Sequence, residues 1–581
     1  MTTATTTYDL VLRNGLIVDG RGGEPFVADL AVKDGRIADI GADLAEGREE
    51  FDATDLLVTP GFVDIHTHYD GQVTWENTLA PSSNHGVTTV VTGNCGVGFA
   101  PCRPADQVAL VELMAGVEDI PEVVMAEALS WNWETFPKYL DVVDSRPHDI
   151  DIAAMLPHSA LRVYVMGQRA IDREQATEDD IEKMAELTRE AIQAGAIGFG
   201  TSRALQHKST RGESIPTVRA HRDELEGILA AMSVEGSGVF QALSDFDLFQ
   251  DVRGEFAMLR GLVEKTGRPM SFTLNQKHDD PDGWREILGL VEESTAAGHP
   301  IKAQVLCRPS GLLLGHHVSF NPFMACPSYQ VIADLPFDDR IAQLRRADVR
   351  ERILAEYGAP EYSEPVEKWD RRYFVGDPPS YEPDRSESLT ALAAGRNVSP
   401  AELAYDALLE EDGRRLIHHF IQNFAEGSLD AVHEMVVHPD TVLGLGDGGA
   451  HLGLICDASY TTTMLAYWTR DRERGPRVSL PAAVQALTSS TANAVGLCDR
   501  GQLALGYKAD INVIDYAHLR LHAPEVKHDL PAGGKRIVQG ADGYVATFLN
   551  GVATHRRGSA TGAMPGRLVR GAQPAPATTE V

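Results

Sequence analysis

Long apolar runs are missing from this 581-residue chain. No stretch reaches the roughly eighteen consecutive apolar residues that span a bilayer, so a helical membrane protein is excluded. Cysteine is scarce: Cys95, Cys102, Cys307, Cys326, Cys456 and Cys498, with no C-x-x-C pair. That argues against a disulfide scaffold and for a reducing compartment. Basic residues are outnumbered by acidic ones, 52 to 84, which leaves a net charge of -32. So acidic a chain repels phosphate backbones and anionic lipid, and neither nucleic acid nor membrane is expected as a partner. Residues Met1 to Thr7 hold neither a basic region nor an apolar run, so no secretory signal is expected there and a cytoplasmic location is.

What is present is globular in balance, 43% hydrophobic and 23% charged. Residues 8–60 alternate apolar and polar, and are cut by Asn14-Gly15 and Asp34-Gly35, which are hairpin signals. Then the pattern changes to short apolar runs with helices between them. These runs are Phe62–His66, Val87–Thr92, Ile150–Leu156, Ala196–Gly200, Gly238–Leu243, Met270–Leu274, Ile301–Leu306 and Thr441–Gly446. Among the helices, Thr177 with Asp180 forms a capping-box pattern before Ile181, Met184 and Thr188, and Gly195 marks the stop. Leu225, Ile228, Leu229 and Met232 repeat a helical spacing, as do Trp284, Ile287, Leu288 and Val291.

Eight strands alternating with helices predict an α/β fold, a closed (β/α)8 TIM-like barrel covering 61–306 and 441–500. Residues 307–440 are too long for a loop, and predict an insertion with its own structure or a lid over the barrel mouth. Its Pro- and Tyr-rich part runs from Glu361 to Pro383, and its helical part from Pro400 to Glu411. Residues 501–570 resume the hairpin pattern and are expected to join 8–60 in one β-sandwich. Residues 571–581, rich in Ala, Pro and Thr, are expected to be disordered.

Chemistry in such barrels sits at the C-terminal strand ends. His66 and His68 close the first run, two apart and so on one side of the strand. H-x-H is half a divalent-metal site, or a pair of loop histidines. Asp447 closes the eighth run in Gly446-Asp447-Gly448-Gly449-Ala450-His451. It reads as a turn residue, or as an anionic oxygen completing a zinc site with room for water. The second reading gains from its place beside the H-x-H, and makes Asp447 the general acid and base. Cys95, after the second run, reads equally as a thiolate ligand or a small buried residue. Arg308 is the first candidate for binding a substrate carboxylate, with Arg169 and Lys277 behind it. His158, ending the third run, could orient substrate. His207, His316, His317, His418 and His419 read more simply as structural or solvent-facing.

Taken together, Pro60 to Asp70, His85 to Gly96, Gly195 to Thr201, the Gly446–His451 stretch and Asp529 to Gly534 resemble the amidohydrolase superfamily, in its D-aminoacylase (N-acyl-D-amino-acid deacylase) branch. The resemblance implies hydrolysis of the amide between an acyl group and a D-amino acid. It implies metal ligation by His66, His68 and Asp447, and a ligand role for Cys95. The family pattern also puts a histidine at the ends of strands five and six, where this chain has Leu243 and Leu274. One zinc ion rather than two is therefore expected. The expected partner is a small-molecule amide, and the sequence is compatible with a homo-oligomer. Two alternatives stand beside this: hydrolysis of a cyclic or aryl amide on the same scaffold, or a barrel that binds a small molecule without catalysis.

Overall fold

In a computed structural model of the chain, eight parallel strands follow one another in sequence order around a nearly closed barrel. They are β1 (Phe62–Asp64), β2 (Val87–Thr92), β3 (Asp151–Pro157), β4 (Gly198–Ser202), β5 (Val239–Leu243), β6 (Met270–Thr273), β7 (Ile301–Val305) and β8 (Thr441–Leu443). The structure describes residues 8–244, 246, 251–359 and 368–577. Every residue of β2 is buried, as β-branched strands covered on both faces require. Along β5, Phe240 and Ala242 share a core with Phe256 and Leu259 of the helical layer, while Gln241 turns into the lumen.

The seam of the barrel closes beyond the strands themselves. Thr67 bridges Gly448, the His68 N–H donates to Gly448 O (2.8 Å), and the Asp447 N–H donates to His66 O (3.1 Å). The expected helices form as Glu178–Ala194, Arg222–Val234 and Gly283–Ala296. The first has a complete Thr177/Asp180 capping box and ends at Gly195, φ 113°.

The insertion between β7 and β8 has its own core, including Phe323, Tyr357, Tyr405 and Ile417. Its strands Ser310–Leu314 and Arg372–Phe374 flank Ile417–Gln422 in an antiparallel sheet. Of the Pro- and Tyr-rich part, residues 361–367 lie outside the described residues. The remainder is anchored: Glu382 accepts two bonds from buried Arg472, each 3.0 Å.

Both chain ends do share one sheet. Ile511–Ile514 pairs with Leu57–Pro60, which joins the amino-terminal strands to the carboxy-terminal ones around Leu10, Val32, Val58, Ile511 and Phe548. Two parts of the 501–581 reading need correction. The hairpin Arg520–Lys527 with Arg536–Asp542 stands outside that sheet and reaches the barrel mouth, where the Ile537 N–H donates to Leu452 O (2.6 Å). The tail does not fray at 571. Gln573 exchanges backbone hydrogen bonds with Gly496 and Cys498 (2.8 and 2.7 Å), and Val569 donates to Ile152 O (2.7 Å). Free backbone groups of β3 and of the barrel-closing turn bind this segment. Residues 578–581 lie outside the described residues.

Candidate metal centre

The two histidines after β1 are placed by the barrel seam. With Thr67 held between Val91 and Gly448, His66 and His68 turn to the lumen, ring centroids 5.5 Å apart. His66 is then oriented by β6 and β7. Its Nδ1 is 2.7 Å from Gln304 Oε1, and Gln304 Nε2 donates to Ser271 Oγ (2.8 Å). That pairing leaves Gln304 only its oxygen for the ring, so Nδ1 carries the proton and Nε2 a lone pair. The lone pair faces Cys95 Sγ at 3.4 Å.

Cys95 reaches this point on left-handed backbone, φ 53°. The turn packs directly on β4: a Cβ on Gly96 would stand 2.7 Å from Thr201 Cα, so only glycine fits there. The Cys95 N–H donates to Gln241 Oε1 (3.0 Å). Asp447 comes from the opposite side of the seam, its Oδ1 3.5 Å from His66 Nε2 and 3.7 Å from His68 Nε2.

His66, His68 and Cys95 are buried, and each offers one ligand atom, all within 4.8 Å of one another. With Asp447 this makes two imidazoles, a thiol and a carboxylate, a donor set suited to zinc. Burial and neighbouring charges act on each of these donors. Burial pushes the Cys95 thiol up to about 12 and His66 down to about 4, so His66 is a neutral donor. Burial would raise Asp447, but His68 and His66 outweigh it and hold the carboxyl well below the usual range. Burial would lower His68, but the Glu118 carboxylate, Asp447 and Cys95 raise it well above the ordinary value.

Other expected site residues are used elsewhere. Arg308 is fully buried, bonded to Asp457 and to Ser459 Oγ (2.8 Å), and stacked on Tyr381 at 4.4 Å. It is committed to a structural pair rather than to a ligand. Arg169 lies on the outer helical layer with Glu174 (3.0 Å) and Asp180 (2.9 Å). Both nitrogens of His158 are spent, Nδ1 on Thr201 (2.8 Å) and Nε2 on Glu224 (2.9 Å). Lys277 stays at the rim, half-buried, its backbone bridged to Gln422 of the insertion.

Leu243 shares the lumen face with Gln241. Leu274 does not: it belongs with Met270 and Phe272 to the outward core, so alternation gives the lumen side to Thr273 and Asn275. The expected register at the end of β6 was one residue off.

Several site residues escaped the sequence reading. Glu118, 1% exposed, ends the helix Gln107–Glu118 in the β2–β3 connection. Its Oε1 is 3.5 Å from His68 Nδ1 and its Oε2 3.5 Å from His451 Nε2. The signal was available: Glu118 continues the buried Leu110–Met114 row at helical spacing, a carboxylate on an apolar face. The His207 ring has its Nδ1 3.0 Å from Ser202 Oγ at the end of β4, and burial pushes it down to about 3. Gln241 and Gln304 carried no sequence signal beyond a polar residue in an apolar strand.

Residues 49–555 match the family model described as the amidohydrolase family. Over 95% of its length the chain is 28% identical to an uncharacterised protein of Mycobacterium tuberculosis, covering 93% of it. It is 26% identical to a D-aminoacylase of Alcaligenes xylosoxydans xylosoxydans, with 97% of each chain covered. Among solved structures it resembles an N-acyl-D-glutamate deacylase from Bordetella bronchiseptica, complexed with zinc and a phosphonate inhibitor. The TM-score is 0.64 at 21% identity, covering 97% of this chain and 100% of that one.

Proposed function

Because this chain belongs to the amidohydrolase family, we propose that it hydrolyses the amide bond of an N-acyl amino acid, with one zinc ion held by His66, His68, Cys95 and Asp447. The observation carrying this is the convergence of buried donors from β1 and β2, with the Asp447 carboxylate 3.5 Å from His66 at the seam. Zinc, when bound, supplies a Lewis acid that polarises a carbonyl and makes water more acidic. Asp447, 3.5 Å from His66 and 3.7 Å from His68, would take the proton of the attacking water and hand it to the leaving nitrogen. Gln304 keeps His66 in one tautomer, and Gln241 holds the Cys95 backbone. The D-amino acid preference rests on similarity to the D-aminoacylase at 26% identity.

A second reading is favoured by Arg308. Its commitment to Asp457 takes away the first candidate for clamping a substrate carboxylate, which suits a cyclic or aryl amide. A panel of N-acyl-D-amino acids, N-acyl-L-amino acids, cyclic amides and anilides, assayed with zinc restored after chelation, tests both. Turnover of N-acyl-D-amino acids above the rest supports the first reading, and turnover confined to carboxylate-free amides supports the second. No turnover on any member, with less than a tenth of an equivalent of zinc retained, rejects both.

A further inference from the structure

Glu118 is a buried carboxylate near the site, and the active-site chemistry above makes no use of it. It comes from the β2–β3 connection, which is outside the barrel strands. It is 1% exposed, and its two oxygens address two different imidazoles. Oε1 is 3.5 Å from His68 Nδ1, and neither atom has a hydrogen-bond partner among the described residues. Oε2 is 3.5 Å from Nε2 of His451, whose ring remains partly open to the mouth. The backbone repeats the connection, since the His451 N–H donates to Glu118 O. His451 sits on left-handed backbone, φ 50°, in the loop that begins with Asp447, φ 47°. The adjoining Asp119 carboxylate accepts from the Gly453 N–H (3.1 Å) and Ser319 Oγ (2.9 Å).

A buried carboxylate is costly to hold unless it is paired. The groups that its two oxygens face are the imidazoles of His68 and His451. A histidine ligand that donates its second ring N–H to a carboxylate is fixed in tautomer and orientation, and is a stronger donor.

We propose that Glu118 is a positioning residue serving both halves of the site. It fixes the His68 ring so that Nε2 faces Cys95 and Asp447, and it ties His451 and the Asp447 loop to the β2–β3 connection. The proposal rests on the metal-site reading above, and the test separates the two. Zinc affinity is measured by competition with a chromophoric chelator for wild type, Glu118→Gln and Glu118→Asp. The visible spectrum of the cobalt-substituted proteins is recorded alongside. If wild type takes up no zinc, the metal reading fails and the proposal with it. If wild type binds zinc, Glu118→Gln is expected to bind about 10- to 100-fold more weakly, with a shifted cobalt spectrum. Glu118→Asp, which withdraws the carboxylate by one methylene, is expected to fall between. Variants that bind zinc within threefold of wild type with an unchanged spectrum overturn the proposal while leaving the metal reading intact. If neither variant folds, a zinc-loaded wild-type crystal structure decides. Glu118 within hydrogen-bond reach of His68 Nδ1 supports the proposal, and Glu118 beyond that reach overturns it.

Discussion

Asp447 concentrates more of the chemistry than any other single side chain. It shares its Oδ1 between two imidazoles, at 3.5 and 3.7 Å, and stays ionised against its burial. Asp447→Asn keeps the shape and removes the charge. It is expected to lower kcat/KM by about a hundredfold or more, since positioned acid–base groups contribute about 10²–10⁴-fold. Steady-state kinetics on the best substrate check this, and retained full activity rejects the assigned role. Cys95 makes a different prediction. Burial holds its thiol up near 12, so at neutral pH it carries a proton that a metal must displace. Zinc affinity should therefore rise with pH, with at least one proton released per ion. Calorimetry in buffers of different ionisation enthalpy counts that proton, and pH-independent binding would refute it.

At the scale of elements, His158 shows how position in the chain differs from function. It directly follows the third strand on the barrel's chemical face, as the first residue of a helix, yet its ring goes to Thr201 and Glu224. Glu224 also takes Arg162 Nε at 2.8 Å, so one buried carboxylate binds the helix His158–Met166 to the helix Arg222–Val234. Removing it strands two buried cationic or polar groups. Glu224→Ala is expected to cost about 3–5 kcal/mol of stability, read as a lowered denaturant midpoint, with the zinc-binding residues untouched. The insertion is likewise tied to the barrel by Arg472, which donates to Glu382. The barrel strands, the capping box at Thr177 and the Pro400 helix were legible because each depends on local spacing and short-range bonds. The Leu274 register was not, because an isolated apolar run does not say which of its faces meets the helices.

The whole molecule is held by charged clusters that no local pattern announces. At the barrel base, Asp151 accepts from Arg500 (2.8 Å) and Lys508, and also takes the Arg567 N–H (3.0 Å). One carboxylate thus joins β3, the barrel-closing segment, the terminal sheet and the final stretch of chain. Many histidines are buried neutral: burial pushes His85, His148 and His317 down to about 4, and His316, His418 and His419 to about 3. Their folded values lie below the unfolded value of about 6.5, so the unfolded chain binds more protons as pH falls. Stability should be fully present above about pH 6.5 and fall progressively toward pH 4. Melting temperatures across that range check the sign, and a flat profile contradicts it.

The sequence by itself determined the periodicities, and with them the eight strands, the place of His66, His68, Cys95 and Asp447 at strand ends, and the union of both chain ends. These follow from residue spacing, turn chemistry and the rule that a closed barrel gathers its strand ends at one mouth. Only the tertiary structure decided which charges are spent in pairs and which remain for the site. Arg308 met Asp457 across 149 residues, and Glu118 met His451 from another excursion. Such pairings depend on the three-dimensional approach of segments far apart in the chain, and a polar residue's partner, unlike its periodicity, is not written in its neighbours.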